Sequence, residues 1–361
     1  MPLVNFSNLD FNQIKTSLKD YLRANSNFTD YDFEGSNLST IIDVLAYNTY
    51  INSYNANMVT NEVFLDSATL RENIVSLAKN IGYTPRPRKA AKAVVSFAVD
   101  MTGTTAVAIT LKAGIVGTTA TAFSATNYVF SIPEDITVGV NDEGLAIFDS
   151  ITVYEGNYIT SKFTVNARTP NQKYILTNSG IDTNLLRVNV RESANSTIIR
   201  RYTESKGLFE VKASSPVYYL QEVENENYEL LFGDGIFGLP VQEPNVIEAS
   251  YIISNGSEGN NISRMSFAGS LVNNNGAAVT ENITTLVIDT NSFGGGEIES
   301  IESIKKYAPQ IYSSQNRAVT TVDYEAMIPK IYAEADSVSA FGGEELTPPQ
   351  YGKVFISVKP T

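Results

Sequence analysis

The chain has 361 residues, of which 43% are hydrophobic and 18% are charged, and its formal net charge is −13. This length is sufficient for more than one domain, and the composition is that of a folded protein. The acidic balance argues against non-specific binding to nucleic acid, which requires clustered Lys and Arg. The chain has no Cys and no His, which excludes disulfides, thiolate nucleophiles and His-based triads or zinc sites.

The side chains that remain are not grouped in any pattern that is typical of catalysis. A carboxylate pair could still hydrolyse glycosides, but Trp, the usual aromatic platform for a sugar, is also absent. We therefore expect no enzymatic activity, no metal, no cofactor and no small-molecule substrate. No basic segment followed by an apolar core opens the chain, so no signal peptide is predicted, and no apolar run is long enough to span a membrane.

The first part of the chain, from Asp10 to about Gly82, has helical periodicity. Apolar residues recur there at spacings of three and four, which predicts amphipathic helices. Ser36 is a predicted N-cap of the second helix, and Asp66 or Ser67 of the third. A bundle that buries this stripe internally and an exposed partner-binding face are both compatible with the pattern.

An interaction surface is favoured slightly, because aromatic residues are enriched in the cores of protein interfaces. Five Tyr and Phe residues lie within a few turns of one another. The candidate interface residues are Tyr31, Phe33, Leu38, Ile42, Leu45, Tyr47, Tyr50 and Tyr54.

A central β-rich region follows the Pro-containing segment at Pro85 and Pro87, since Pro and the residue before it resist helix. Period-two patterns and β-branched residues predict short strands, and their spacing favours antiparallel sheets over βαβ units. The predicted strands are Ala93 to Val99, Val107 to Leu111, one around Phe123, Tyr128 to Ile132, Ile151 to Ile159, about three within Phe163 to Tyr202, Leu208 to Lys212, and Val217 to Val223. A carbohydrate-binding lectin would have a similar strand pattern and stays open as an alternative.

The stretch from Tyr228 to Asn260 predicts a strand, a tight turn, a short second strand, a Pro-bounded loop and a third strand from Val246 to Ile253. Asp-Gly between apolar residues is a strong hairpin signal. A phosphate or metal loop is disfavoured, because no Lys-Ser/Thr and no second carboxylate at ligand spacing follow. The residues of this structural hairpin are Phe232, Gly233, Asp234, Gly235, Phe237 and Gly238.

The C-terminal part begins with a triple Gly, followed by a predicted helix with Glu297, Glu299 and Glu302 in its first turns, where the helix dipole favours acidic residues. A second helix is predicted with Thr320 or Thr321 as its N-cap. Arg317 is expected to form an ion pair with Asp323 or Glu325. Ala335 to Phe341 and Lys353 to Lys359 are predicted to form paired strands.

Three blocks of the sequence carry a resemblance to a known family. DYDFEGSNLSTIIDVLAYNT and LRENIVSLAKNIGYTPRP lie in the N-terminal part, FGDGIFG and NGSEGN in the middle, and RAVTTVDYEAMI in the C-terminal part. In this order they resemble the baseplate wedge proteins of T-even-like contractile-tailed phages, within the J-like baseplate protein family. Members of that family continue beyond the point that corresponds to Thr361, so we expect either a shortened relative or part of a longer protein.

The resemblance implies an α+β multidomain protein with an N-terminal helical bundle segment, central antiparallel β domains, and a C-terminal helix with the start of a small α/β domain. The predicted regions are 1–84, a helical partner-binding region; 85–292, the β-rich region; and 293–361, a Gly linker with helices and that small domain. The rearrangement that the family performs would need pivots between stiff parts. Our pivot hypotheses are Pro85, Pro87, Gly294, Gly295 and Gly296.

The resemblance further implies a structural subunit of a contractile-tail baseplate wedge, located in the virion and assembled in the host bacterial cytoplasm. Two copies would associate in each wedge, bind other wedge proteins, and join wedges into a ring around the tube whose rearrangement triggers sheath contraction. The alternatives are a baseplate component of a non-phage contractile injection system and, from a different class, a carbohydrate-binding tail protein. We expect no nucleic acid and no membrane among the partners.

Overall fold

The structure, a computed structural model, describes residues 10–24, 36–119, 127–205, 211–315, 317–332 and 335–360. The chain divides into two compact units, each made of two segments. Met1–Thr84 and Ser300–Arg317 form the helical unit, and Pro85–Glu299 and Ala318–Thr361 form the β unit. The mixed α+β architecture predicted from the sequence, with helices first and antiparallel sheets in the centre, is confirmed.

The helical unit contains α1 (Phe11–Ala24), α2 (Asn37–Glu62), α3 (Arg71–Asn80) and α4 (Ile301–Ser314). Ser36 is the N-cap of α2, as predicted, and its hydroxyl accepts a hydrogen bond from the Ser39 backbone N–H at 3.0 Å. α1 packs against α2, and Lys15 forms an ion pair with Asp43 at 2.6 Å. α3 packs against α4.

The predicted start of α3 at Asp66 or Ser67 is wrong, because the helix begins at Arg71. The carboxylate of Glu62 lies at the start of α3, where it accepts hydrogen bonds from the backbone N–H of Thr69 at 2.8 Å and from the Asn73 side chain at 2.8 Å. A carboxylate at the N-terminal end of a helix also complements the helix dipole.

The predicted start of the helix after the triple Gly is also wrong. Its N-cap is Ser300, whose hydroxyl accepts from the Ser303 backbone N–H, so Glu302 lies in the first turn while Glu297 and Glu299 precede the helix. Pro309 lies inside α4 without ending it.

The strands of the β unit are, in chain order, β1 (Lys92–Asp100), β2 (Ala108–Leu111), β3 (Gly114–Thr118), β4 (Val129–Ile132), β5 (Ile136–Gly139), β6 (Leu145–Glu155), β7 (Asn157–Thr164), β8 (Tyr174–Leu176), β9 (Arg187–Arg191), β10 (Ile199–Glu204), β11 (Val217–Val223), β12 (Asn227–Phe232), β13 (Val246–Ile253), β14 (Ser266–Phe267), β15 (Leu271–Asn273), β16 (Ala278–Val279), β17 (Val287–Phe293), β18 (Ala335–Gly342) and β19 (Val354–Pro360).

These strands form four sheets. One has the order β14-β3-β4-β6-β1-β17, a second β7-β13-β9-β10-β11-β12-β8, a third β16-β15-β2-β5, and a fourth pairs β18 with β19. Neighbouring strands are antiparallel except β10 and β11, which are parallel. Consecutive strands are often not neighbours, so the chain crosses over repeatedly within the β unit.

Two clusters of buried side chains form the cores of the larger sheets. β1 alternates half-buried and buried residues along its length, which places Val95, Phe97 and Val99 in the first core. Phe97 stacks on Phe148 with 4.7 Å between ring centroids. The second core is rich in tyrosine, including Tyr251, which is fully buried.

The predicted strands Val217 to Val223 and Val246 to Ile253 have the bounds of β11 and β13. The predicted strand Ile151 to Ile159 is instead the end of β6 and the start of β7, separated at Gly156. The residue Phe123 and the segment 208–210 lie outside the described residues.

The C-terminal part contains α5 (Thr321–Ile331), which packs against β18. Thr320 is its N-cap, as predicted, and forms a capping box with Asp323. The predicted ion pair of Arg317 is not found among the described residues, since Arg317 donates to the Gln315 side chain at 2.9 Å. The Asp323 carboxylate accepts hydrogen bonds from the backbone N–H of Val319 and of Thr320, and the Glu325 carboxylate accepts one from the backbone N–H of Ala340.

An ionic contact ties the first two sheets together. Glu134, in the turn between β4 and β5, accepts hydrogen bonds from Arg187 of β9 and from Arg201 of β10, the latter at 2.6 Å. These bonds hold the pKa of the Glu134 carboxyl below its usual range. A lowered pKa in the folded state means that the carboxylate stabilises the fold above the unfolded pKa, and that this stabilisation is lost as the pH falls through the folded pKa.

We therefore expect acid to destabilise the β unit, in part through Glu134. The Glu134→Gln variant should have a shallower decrease of unfolding free energy between pH 6 and pH 3 in urea titrations. The difference should not exceed about 1 kcal/mol, because the carboxylate is half exposed and screened. Asp182 acts in the opposite direction. Burial raises the pKa of its carboxyl, so its contribution to the stability of the fold is lost as the pH rises through the folded-state pKa. An unchanged pH slope in the variant would contradict a role for Glu134.

Candidate functional site

Helix α2 leaves much of its apolar surface in water. Val44 is 63% exposed and Val59 is 66% exposed, whereas Ile42 on the opposite side is 2% exposed. The α2 face is the set of exposed large apolar residues within this helix: Ile41, Val44, Leu45, Tyr47, Tyr54, Met58 and Val59. A group of exposed large apolar side chains on one helix is typical of a protein–protein contact surface, so this face is suited to contact another protein.

The predicted interface residues fall into three groups. Leu45, Tyr47 and Tyr54 lie on the α2 face. Leu38 and Tyr50 are half-buried, and Ile42 is buried inside the helical unit. Tyr31 and Phe33 lie outside the described residues. The face is completed by Ile41, Val44, Met58 and Val59, which a stripe assigned to one side of the helix did not identify as exposed.

The α2 face is also free of charge. The 26 residues of α2 include two ionisable acids, Asp43 and Glu62, and no Lys or Arg. Asp43 is paired with Lys15, and Glu62 accepts hydrogen bonds from residues at the start of α3. This near absence of charge around a long helix is the sequence signal that could have identified the whole face.

The second feature is a contact between two connecting segments, one with Pro85 and Pro87 and the other with Gly294–Gly296. The sequence analysis predicted them as separate pivots. Beyond the Lys92–Phe293 pair of β1 and β17, residues 86–91 and 294–299 run antiparallel side by side, and we call them the ribbon. Lys89 and Gly296 exchange two backbone hydrogen bonds, at 2.9 and 3.0 Å. Farther out, the Glu299 N–H donates to the Arg86 carbonyl at 3.1 Å, and the Arg86 N–H donates to the Glu299 carboxylate at 2.9 Å.

The motif Asn255–Asn260, NGSEGN, holds one strand of this ribbon in place. The Asn260 side chain donates to the Gly295 carbonyl at 3.0 Å and accepts from the Gly295 N–H at 2.9 Å. The Ser257 backbone and hydroxyl both donate to Glu297. Gly256 has a φ of +68° and lies so close to the Glu297 carboxylate that a side chain at this position would overlap it.

The other strand of the ribbon is held by buried acidic groups. Asp182 accepts from the Ala90 backbone N–H at 2.9 Å. The backbone N–H of Glu155 donates to the Ala91 carbonyl at 2.7 Å. The side chain of Glu155, which is fully buried, accepts from the Ser254 hydroxyl, the Asn255 N–H and the Asn255 side chain. Glu155 thus connects both sides of this cluster, and no sequence motif indicated it.

The segment predicted as a hairpin at 232–238 has a different form. β12 ends at Phe232, and residues 233–239 form a loop instead of the expected short second strand. The Asp234 carboxylate accepts from the backbone N–H of Ile236 and of Phe237, both at 2.9 Å, and Gly235 donates to Gly238. These bonds use backbone N–H groups within the loop, which explains why no strand follows.

Among the described residues, no group of acidic side chains is arranged to hold a metal ion. Within the same ranges, no helix has both the length and the hydropathy that a membrane span requires.

Comparison with known proteins gives matches at both ends of the chain. Residues 10–83 match the family described as "Baseplate wedge protein gp6-like, helical domain", and residues 320–361 match "Baseplate structural protein gp6, C-terminal domain I". The chain is 28% identical to "Baseplate wedge protein gp6" of Enterobacteria phage T4 over 373 residues, covering 97% of this chain and 54% of that protein. The chain therefore spans about half the length of the curated relative that it matches.

A solved structure, the cryo-EM structure of the anti-feeding prophage (AFP) baseplate, is similar at 9% identity over 90% of this chain and 57% of that chain. Its TM-score of 0.31 is too low to support a conclusion about the fold. The family matches and the T4 relative confirm the resemblance to gp6-like baseplate wedge proteins that the three sequence blocks indicated.

Proposed function

This chain carries gp6-like baseplate wedge sequence in both its helical and its C-terminal regions, and we propose on that basis that it is a structural subunit of a contractile phage tail baseplate. It acts by holding neighbouring subunits together and has no catalytic turnover of its own. It is located in the baseplate of the virion and is assembled in the cytoplasm of the host bacterium. Three regions were predicted from the sequence. In this proposal, residues 1–84 bind partners, residues 85–292 form a stiff body, and residues 293–361 join wedges.

The α2 face is the observation that supports this role. An extended, uncharged apolar surface on an otherwise acidic chain can approach a second copy without charge repulsion. We propose that two copies associate in each wedge through this face and bind other wedge proteins through the same helices. The joined wedges form a ring around the tube, and its rearrangement triggers sheath contraction. We retain the proposal that the pivot lies in the two connecting segments that contain Pro85 and Pro87 and Gly294–Gly296.

An acidic substitution on the α2 face should weaken this association. Leu45 is 51% exposed, so Leu45→Asp should leave the helical unit folded in a single chain. In the assembly, the new carboxylate would be buried without a partner, and we expect association to weaken at least tenfold, roughly the effect of losing one interface hot spot. Sedimentation of the purified chain and co-purification with wedge subunits both measure this, and Tyr47→Asp should act in the same way.

Ser76→Asp is the matched control, because Ser76 is exposed on α3, outside the α2 face. It adds the same charge and should leave association unchanged. If the Leu45→Asp variant is folded by circular dichroism and co-purifies with wedge subunits as well as the wild-type chain does, the α2 face is not the interface.

Electron microscopy of intact particles tests the function itself. The expected result is density for this chain in the collar of subunits around the tail tube. Density in a non-phage injection particle would favour the first alternative. Glycan binding on an array, lost on substitution of a single Asp or Glu, would favour a carbohydrate-binding tail protein.

A further inference from the structure

The two strands of the ribbon contact each other at intervals from the edge of the six-stranded sheet to the residues that adjoin the helical unit. Lys92 is paired with Phe293, Lys89 with Gly296, and Arg86 is bonded to Glu299. These contacts lie three residues apart on each strand, whereas the hydrogen-bonded pairs of a regular ladder recur every two residues, so the ribbon is held at separate points. The two crossings nevertheless run side by side, and they cannot slide past each other without breaking these bonds.

The inner part of the ribbon is fixed to the β unit on both of its outer sides. Asp182 binds the Ala90 N–H on one side, and Asn260 makes two hydrogen bonds with Gly295 on the other. Arg88 adds an ion pair with Glu297 at 3.2 Å between the two strands. At the outer end, Arg86 and Glu299 bond to each other. The adjoining residues Thr84 and Ser300 belong to the helical unit.

We propose that the two crossings work as one paired hinge, whose fixed end is the Lys89–Gly296 pair and whose outer end is the Arg86–Glu299 pair. Any rotation of the helical unit then bends both strands together, at and beyond Arg86 and Glu299, while the inner pairs stay closed. The use of this hinge in baseplate rearrangement rests on the proposed function, but the pairing itself does not.

Hydrogen exchange of the isolated chain tests the pairing without any baseplate. The amide protons of Lys89, Gly296 and Glu299 donate across the ribbon. We expect them to exchange at least about 100-fold more slowly than amides of an unstructured peptide, as expected for closed backbone pairs. Rapid exchange of all three, with protected β1 amides, would overturn the paired hinge whatever the chain does in the virion. Protected amides in a chain that is absent from the baseplate would refute the proposed function and leave the pairing intact.

A disulfide across the fixed end tests the hinge in the assembly. The chain has no Cys, and a Cβ at Gly296 meets no atom within 4 Å, so the variant Lys89→Cys with Gly296→Cys adds one bridge and no overlap at Gly296. We expect the bridge to form on oxidation and tail contraction to proceed as in the reduced variant. Loss of contraction on oxidation that a reductant reverses would show that the ribbon opens, and would overturn the proposal. Each single Cys variant is a control for the substitutions.

Discussion

Gly295→Ala should destabilise the β unit by about 2 to 3 kcal/mol, the usual cost of forcing extra volume into a packed site. Gly295 is buried, and a Cβ there would overlap the carbonyl oxygen of Gly256 and press on Ala91 at 3.0 Å. The backbone on both sides is bonded, so moving it away would also disturb the two hydrogen bonds to Asn260. Chemical unfolding monitored by tyrosine fluorescence measures the change.

Gly296→Ala, one residue along, is the control for this prediction. Its added Cβ meets no atom within 4 Å, and its φ is not in the left-handed region. It should leave the free energy of unfolding unchanged or raise it by a few tenths of a kcal/mol, because alanine lowers the conformational entropy of the unfolded chain. Equal stability of the two variants would mean that the ribbon is not packed against the NGSEGN motif as described.

The second large effect is expected at Glu155. Glu155→Ala should cost about 3 kcal/mol or more, because it leaves three buried or half-buried donors without an acceptor and opens a cavity. The donors are the Ser254 hydroxyl at 2.8 Å, the Asn255 N–H at 3.0 Å and the Asn255 side chain at 2.7 Å. Gly259 packs directly against the Glu155 side chain, so the loss should loosen the whole motif. Thermal and urea unfolding measure the stability, and exchange at Gly295 reports on the ribbon.

Glu258→Ala provides the comparison, since Glu258 belongs to the same motif but is exposed. It should change the unfolding free energy by less than about 0.5 kcal/mol, which is usual for surface positions. If the Glu155→Ala variant is as stable as the Glu258→Ala variant, Glu155 does not hold the cluster together.

Local signals in the sequence were sufficient for many elements. The Ser36 and Thr320 caps were predictable, because a short polar side chain followed by helical periodicity defines the first turn. β11 and β13 were predictable from their apolar patterns and the Gly, Pro and Asn residues around them. These features depend on neighbours a few residues away.

The errors arise where a distant or side-chain bond decides the structure. Glu297 and Glu299 have the composition of a helix start, but pairing with residues 86–91 draws them into an extended ribbon. The turn at Asp234 has the composition of a hairpin, but its carboxylate captures two N–H groups that a second strand would need. The hydrogen bonds of Glu62 with Thr69 and Asn73 at the start of α3 are likewise contacts across a turn that composition does not encode.

The candidate site was only partly predictable for the same reason. The aromatic residues Tyr47 and Tyr54 were identified from composition, but which side of α2 faces water depends on where α1 packs. The NGSEGN motif was recognised as a family signature, while its contacts with Gly295 and Glu297 join residues that lie 35 and 40 positions apart in sequence.

The assignment of α4 to the helical unit has a consequence for synthesis of the chain. α3 buries Ile74 and Ala78 in a unit whose other helical segment, starting at Ser300, is translated only after the entire stretch Pro85–Glu299. α3 therefore leaves the ribosome without α4, its packing partner, which is made only after most of the polypeptide. During this interval a chaperone or a partner subunit has access to apolar surfaces that the finished protein conceals.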